Sequence, residues 1–315
     1  METWGAEHRG TGSDITAAAV TDAIKSVVRK EVMSDIRQVD VAEITEAIKE
    51  MCISANHGLS EDMREQLQRA RAEETSDLGV QILQQLEKNL IIAKEDRIPI
   101  CQDTGMAIVF IDLGQDVHLQ GGDLTEAVNE GVRRGYLEGY LRKSVVADPL
   151  LRENTKDNTP AILHTRIVPG REICITVAPK GFGSENMSRV FMLKPADGEE
   201  GVVQAVVQAV KDAGPNACPP MVVGVGIGGD FEECALMAKR ALTLNTKEHS
   251  MSEHIRVLEE RILEKINQLG LGPAGLGGSQ TALSVRILTY PTHIAGLPVG
   301  VNICCHVNRH ETRVL

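Results

Sequence analysis

Apolar residues recur at intervals of three and four through the first third of the chain, up to about residue 96. This spacing places them on one face of a helix and predicts amphipathic helices. Two stripes carry the pattern: Val41, Ile44, Ile48 and Met51, then Leu78, Ile82, Leu86 and Leu90. Residues 1–15 are rich in glycine, serine and charge, so we expect a disordered N-terminal tail followed by a helical portion over about residues 16–96.

After Pro99 the pattern changes, because short apolar runs typical of strands alternate with helical periods. Strands are predicted at 106–112, 161–168, 172–178, 221–227, 282–288 and 298–304, and helices at 124–141, 201–213, 231–244 and 253–269. Pro169-Gly170-Arg171 between two predicted strands is a hairpin signature. The fold class is therefore α/β (α+β), one domain over residues 16–315, with mixed β-sheets surrounded by helices over about 97–315.

Composition narrows the possible functions. The 315 residues carry a net charge of −11, which disfavours nucleic acid as a partner. With 4 Phe, 3 Tyr and 1 Trp the chain also has few aromatic platforms for stacking bases. No run of 18 apolar residues predicts a membrane span, so we expect no membrane partner. Because the net charge is negative, any site that binds an anion must depend on local cations.

The seven cysteines include no C-x-x-C pair, and their number is odd. No signal peptide opens the sequence, which favours a reducing, cytoplasmic location in which thiols stay free or bind metal. Four of them are read as small buried apolar side chains: Cys52, Cys174, Cys234 and Cys304.

The other three cysteines stand in unusual short motifs. These motifs are Cys101-Gln-Asp-Thr-Gly, Asn-Ala-Cys218-Pro-Pro and Asn-Ile-Cys-Cys305-His. A [4Fe-4S] cluster normally takes four thiolates, so three would leave one iron open. An open metal position allows Lewis-acid chemistry, which points to a hydro-lyase rather than to an electron carrier.

A glycine pattern offers a competing interpretation. The segment 224–229 matches G-x-G-x-x-G after an apolar strand and before a helix, the context of a dinucleotide fingerprint. A second match at 270–275 contains a proline and shows how common the pattern is in this glycine-rich chain. We therefore interpret 224–229 as a tight strand-to-helix turn and keep an NAD enzyme as an alternative.

Two further motifs lie beside the cysteines in our interpretation. Lys180-Gly-Phe-Gly183-Ser-Glu-Asn-Met-Ser offers exposed backbone N–H groups that suit a carboxylate oxygen. Pro291-Thr-His293 leads into the strand that carries Cys304 and Cys305. We therefore expect a histidine and a cysteine at the same end of adjacent elements.

Together these motifs resemble the α subunit of a two-subunit class I fumarate hydratase, the iron–sulfur, oxygen-sensitive kind. The likeness runs from about residue 17 to the C-terminus and includes Gly270-Leu-Gly-Pro-Ala-Gly-Leu-Gly-Gly and Tyr290-Pro-Thr-His-Ile-Ala-Gly. The family relative that dehydrates tartrate shares the cysteines. Ser-Glu-Asn-Met-Ser and the stretch from Tyr290 are more similar to the fumarate branch.

The resemblance implies a role for each matching residue. It implies the cluster ligands Cys101, Cys218 and Cys305, the catalytic residues Asp103 and His293, and the substrate-binding residues Gln102, Arg142 and Gly183. Two positions depart from the family pattern. Cys304 stands where the family often has Gln, and Lys143 replaces the more usual aromatic residue after Arg142.

The implied activity is the reversible hydration of fumarate to S-malate, with the open cluster iron as Lewis acid. The implied partners are a small dicarboxylate substrate and a separate fumarate hydratase β subunit, in an α2β2 assembly. The alternatives are an L-tartrate dehydratase α subunit, specificity for a substituted fumarate, and a non-catalytic iron–sulfur scaffold or sensor.

Overall fold

The computed structural model describes residues 36–315, so the predicted tail and the predicted helical residues 16–35 lie outside the described part. After a short strand, helices fill the rest of the predicted helical portion up to Asp96: α1 (Val41–His57), α2 (Glu61–Glu73) and α3 (Asp77–Asp96). The Asp40 carboxylate caps α1 by accepting the N–H of Ala42 at 2.9 Å. All four residues of the first predicted stripe are buried.

The second predicted stripe is confirmed at two of its four positions, because Leu86 and Leu90 are partly buried against the core. Leu83 is fully buried in α3, whereas Leu78 is 47% exposed. Gly79 sets this face, because a Cβ there would lie 2.8 Å from the Glu74 side chain. Glu74 is held in place by N–H groups from both its own turn and the distant Ser279 at 2.8 Å.

The first four-stranded sheet has the order β10-β5-β2-β4. Its strands are β2 (Met106–Gly114), β4 (Ile162–Val168), β5 (Ile173–Lys180) and β10 (Glu311–Val314). The predicted hairpin is wrong, because β2 lies between β4 and β5, parallel to one and antiparallel to the other. The strongly apolar β2 takes the buried central position, and the connection crosses its end, where the N–H of Gly114 donates to Glu172 O at 2.8 Å.

Helices α1 and α4 (Leu124–Glu138) cover one face of this sheet. Tyr136 of α4 is fully buried and donates to Thr104 O at 2.7 Å, whereas Tyr140 is 92% exposed. The helix ends at Glu138, three residues before the predicted end, because Tyr140 takes a left-handed backbone with φ of 52°. A small parallel pair, β1 (Arg37–Asp40) with β3 (Val117–Gln120), lies beside this layer.

The second four-stranded sheet has the order β6-β9-β7-β8. Its strands are β6 (Arg189–Leu193), β7 (Met221–Gly229), β8 (Ala282–Thr292) and β9 (Leu297–Cys304). Its helices are α6 (Gly198–Ala213), α7 (Phe231–Ala241) and α8 (Glu253–Asn267), and the short α5 (Phe182–Glu185) connects the two layers. The mixed sheets with surrounding helices confirm the predicted fold class.

The glycine pattern at 224–229 lies entirely inside β7 rather than in a strand-to-helix turn, which corrects the expectation. A Cβ on Gly224 would lie 2.1 Å from Ala238 O, and one on Gly226 would lie 2.1 Å from Cys234 O. Glycine is therefore needed because α7 packs directly on the strand backbone. Gly228 and Gly229, with φ of 95° and 67°, end the strand at an irregularity in its pairing with β8. Within residues 36–315, no helix is both long and apolar enough to cross a bilayer.

Candidate metal and substrate site

Cys218 and Cys305 meet at one end of the second sheet. Cys218 precedes β7 and Cys305 follows β9, and these antiparallel strands pair Val222 with Cys304. His306 fixes the contact, because its Nδ1 lies 3.0 Å from Cys218 O and its backbone N–H donates to the same oxygen at 3.5 Å. The register of two central strands thus places two of the three motif cysteines together.

Cys101 reaches the same place from the loop between α3 and β2. Asn89 and Asn56 anchor this loop by bonding the carbonyl and the N–H of Ile100, each at 2.9 Å. Burial raises the pKa of the Cys218 thiol, and the charge of Cys101 adds to this, which shows that the two thiols are close. We call Cys101, Cys218 and Cys305 the thiol corner.

The thiol corner offers the donors of an iron–sulfur group. All three cysteines are free; Cys218 is exposed and the other two are partly exposed. In the described part of the chain, no three His, Cys, Asp or Glu side chains are gathered into a site for a single metal ion. The donor chemistry fits a cluster, because its ligands are thiolates that bind different iron atoms.

Asp103 and Gly183 lie beside the thiol corner. The Asp103 carboxylate accepts the N–H of Gly105 at 3.0 Å and the N–H of Phe182, at the start of α5, at 2.9 Å. A Cβ on Gly183 would lie 3.8 Å from Asn216 O, in the motif of Cys218. Gln102 is exposed, and its Oε1 accepts from the Cys101 thiol at 3.2 Å.

Arg142 also comes to this region, although not from a helix as expected. It lies exposed in the loop after α4, because that helix has already ended at Glu138. Its carbonyl accepts from Thr104 Oγ1 at 2.9 Å, which places its backbone next to the Asp103 segment.

His293 does not join the thiol corner of its own chain, which corrects our expectation of a shared end. It lies in the loop before β9, and Cys304 ends β9. An eight-residue strand measures roughly 23 Å from first to last Cα. The sequence argument counted residues along the chain and neglected the length of the strand. His293 is exposed, and its Nδ1 accepts the N–H of Ala295 at 3.2 Å, which leaves Nε2 available.

Sequence reasoning missed three basic residues near the thiol corner. Arg309 is 4% exposed, donates from Nε to Pro179 O at 3.2 Å, and donates from Nη2 to Asp103 O. Lys180 is 5% exposed, and Lys239 of α7 is paired with Glu185. Lys180 begins the motif that ends at Ser188, and Arg309 follows the motif of Cys305, so proximity to a motif was a signal in the sequence. The burial of these side chains could not be read from the sequence.

Comparison with known proteins identifies a family for most of the chain. Residues 45–314 match the family described as fumarate hydratase (Fumerase). The chain belongs to this family. Membership in the fumarate hydratase family confirms the predicted resemblance and makes the chain a member of a hydro-lyase family.

Relatives of this fumarate hydratase family member carry the name of another dehydratase. A Methanocaldococcus jannaschii protein named "Putative L(+)-tartrate dehydratase subunit alpha" is 41% identical over 277 residues, 86% of this chain and 97% of the relative. The L(+)-tartrate dehydratase subunit alpha of Escherichia coli K12 is 28% identical over 279 residues, 88% of this chain and 92% of the relative.

Proposed function

We propose that this chain is the cluster-bearing α subunit of a [4Fe-4S]-dependent hydro-lyase that reversibly hydrates fumarate to S-malate. The observation that supports it most is the approach of Cys101, Cys218 and Cys305, from three distant segments, to one corner beside Asp103. These three thiolates would hold the cluster. When bound, the cluster supplies an open iron as Lewis acid, a contribution of several kcal/mol.

The chain's own residues bind and orient the dicarboxylate. The exposed Gln102 amide and the Gly183 backbone N–H donate to carboxylate oxygens, and Arg142 pairs with a carboxylate through its planar guanidinium. Asp103 uses one lone pair of each oxygen for a backbone N–H, so the others remain to accept a substrate hydroxyl hydrogen. Such a positioned carboxylate contributes about 10²–10⁴-fold.

His293 acts on the same substrate from a second copy of the chain. Its own thiol corner lies at the far end of β9, whereas its exposed loop can reach a neighbouring molecule. The proposed α2β2 assembly contains two α chains, so each site can receive the His293 of the other. There it hydrogen-bonds a substrate carboxylate or hydroxyl through Nε2.

A mixing experiment tests this assignment. Cys218→Ser chains and His293→Ala chains are assayed alone, where the second should be about 10²-fold slower than wild type. The two are then unfolded together, refolded, reconstituted anaerobically and assayed with the β subunit. Random pairing makes half of the dimers mixed, and each mixed dimer has one intact site, so we expect about a quarter of wild-type activity. Absence of recovered activity would show that His293 acts within its own chain or not at all.

A separate β subunit completes the site in this proposal. The relatives are named subunit alpha, which implies a partner chain in those proteins. We infer the same for this chain, with the catalytic base on β. Purified α, loaded with its cluster, is assayed with and without β. Full turnover by α alone would contradict the need for a partner.

L-tartrate is the second candidate substrate, favoured by the names of the relatives. L-Tartrate and S-malate differ by one hydroxyl group. A site accepts or rejects that group through its hydrogen-bonding partners. Measuring kcat/KM for fumarate, S-malate and L-tartrate with the same assembly decides between them. The free thiols and the oxygen-sensitive cluster of this proposal suit the reducing cytoplasm.

A non-catalytic scaffold or sensor is the remaining alternative. In that case Cys305→Ser would abolish folding or sensing in a protein without turnover. Under our proposal the Cys305→Ser chain folds and binds β but shows neither cluster nor hydration, measured by circular dichroism, iron analysis and assay.

A further inference from the structure

A small buried cavity lies behind the thiol corner, between the two sheets. Its volume is about 10 Å³, and its lining includes Lys180, Lys239, Thr243, Cys304, Asn308 and Arg309. Arg309 and Lys180 are only 4% and 5% exposed. Three basic side chains from three elements therefore converge directly behind the cysteine that precedes Cys305.

One carboxylate balances part of this charge. Glu185 Oε2 lies 3.3 Å from Lys180 Nζ, Glu185 Oε1 pairs with Lys239, and Asn302 Nδ2 donates to Oε2 at 3.0 Å. Burial alone would raise the pKa of Glu185, but the charges of Lys180 and Lys239 outweigh it and lower the pKa. Glu185 is thus ionised and fully occupied by its partners.

Positive charge remains in excess. Lys180 and Lys239 pair with Glu185, and Arg309 adds a third cation that donates to Asp103 O. Even when the Asp103 carboxylate is counted with Glu185, one of the three positive charges has no carboxylate partner. Arg309 Nη1 is buried without a hydrogen-bond acceptor. A buried, unbalanced cation is costly unless an anion lies nearby, so this arrangement calls for negative charge at the thiol corner.

We propose that Lys180, Lys239 and Arg309 stabilise the anionic cluster, and its reduced form most strongly. This rests on the proposed function, because three thiolates outweigh the charge of an oxidised [4Fe-4S] core and reduction adds one more negative charge. The three residues act through the electrostatic field that they produce at the thiol corner. In this proposal they contact neither substrate nor iron, so they are positioning residues rather than catalytic residues.

The test is an EPR-monitored redox titration of the reconstituted assembly with a charge series. Lys239→Met removes one positive charge and leaves Glu185 paired with Lys180, so the reduction potential falls. We expect the reduction equilibrium to weaken on the order of tenfold, about 59 mV for one electron. Glu185→Gln removes one negative charge and keeps a side-chain oxygen that can accept from Asn302, so the reduction potential rises.

Two controls separate charge from structure. Lys239→Arg keeps the charge and the wild-type potential. Lys247→Met removes an exposed lysine paired with Glu65 and changes nothing at the cluster. Potentials that fall in the order Glu185→Gln, wild type, Lys239→Met support the proposal.

Shifts of Glu185→Gln and Lys239→Met in the same direction, or no larger than that of Lys247→Met, overturn it. A wild-type chain that assembles no cluster would instead refute the proposed function. The two failures are therefore distinguishable in one set of samples.

Discussion

The two ends of the second sheet differ in how the chain holds its candidate residues. At the thiol end, the β7–β9 register and the His306 contact fix Cys218 beside Cys305. At the other end, His293 lies in the loop between β8 and β9, within a run of exposed residues from Thr289 to Ala295, and Ile294 is 92% exposed. One end is ordered by contacts within the chain, whereas the other presents its residues outward.

Two motifs that are close in sequence therefore need not belong to one site. His293 and Cys304 are eleven positions apart, yet a full strand separates them. Cys101 and Cys218 are more than a hundred positions apart, yet they share the thiol corner. Under the proposed function, the thiol end would bind the cofactor and the outward end would associate with a second chain.

The largest expected effect follows removal of a corner thiol. Cys218→Ser should lose the cluster and lower turnover at least about 10³-fold, because the Lewis acid contributes several kcal/mol. Cys218 is exposed, so the unfolding free energy should hardly change. Cys174→Ser, on β5 away from the corner, is the matched control and should keep its iron. Full iron content in Cys218→Ser would contradict the assignment.

The outward end should affect turnover without affecting the cluster. His293→Ala should lower kcat about 10²-fold, the low end for a positioned acid or base. Iron content and the EPR spectrum should match the wild type, because His293 lies a strand away from the thiols. Loss of iron in His293→Ala would break the distinction between the two ends.

Strand β7, which also runs between the two ends of the sheet, should tolerate no added side-chain volume at Gly226. Gly226→Ala should reduce the unfolding free energy by about 1–3 kcal/mol, because its Cβ would lie 2.1 Å from Cys234 O. Gly58→Ala, where a Cβ meets nothing within 4 Å, is the control. Urea denaturation measures both, and equal effects would show that α7 does not press on β7.

The smallest effect concerns the loop that carries Arg142 at the thiol end. Burial alone would raise the pKa of Asp157, but hydrogen bonds from Thr159 and Arg133 lower it from 3.8 to about 2. The carboxylate thus stabilises the fold above pH 3.8, and its contribution is lost as the pH falls through about 2.

Asp157→Asn should therefore cost about 1 kcal/mol or less at pH 7 and nothing near pH 2, measured by chemical denaturation. A difference between Asp157→Asn and wild type that persists at pH 2 would mean that charge is not its source.

The sequence predicted most elements because their apolar patterns are long and regular. The stripe from Val41 to Met51 and the strand from Met221 depend on local periodicity alone. The neighbours of β2 could not be predicted, because Pro169-Gly170-Arg171 describes a turn and not which strand lies beside it. That choice depends on the burial of β2 between two partners.

The candidate site was predictable where a short motif carries the chemistry. Cys101, Cys218, Gly183 and Asp103 were proposed in this way, and the structure places them near one another. Lys239 and Arg309 were not found, because their importance lies in burial and in the charge around them. His293 was placed at the wrong end, since strand geometry, rather than residue type, decides its position.

EPR of the anaerobically reconstituted, dithionite-reduced assembly, with and without S-malate, tests whether the thiol corner holds a cluster to which the substrate binds. We expect a [4Fe-4S]⁺ signal that S-malate reshapes in the wild type and that is absent in Cys218→Ser. A wild-type chain without a cluster signal, or a signal that survives Cys218→Ser unchanged, would contradict the thiol corner as the cofactor site.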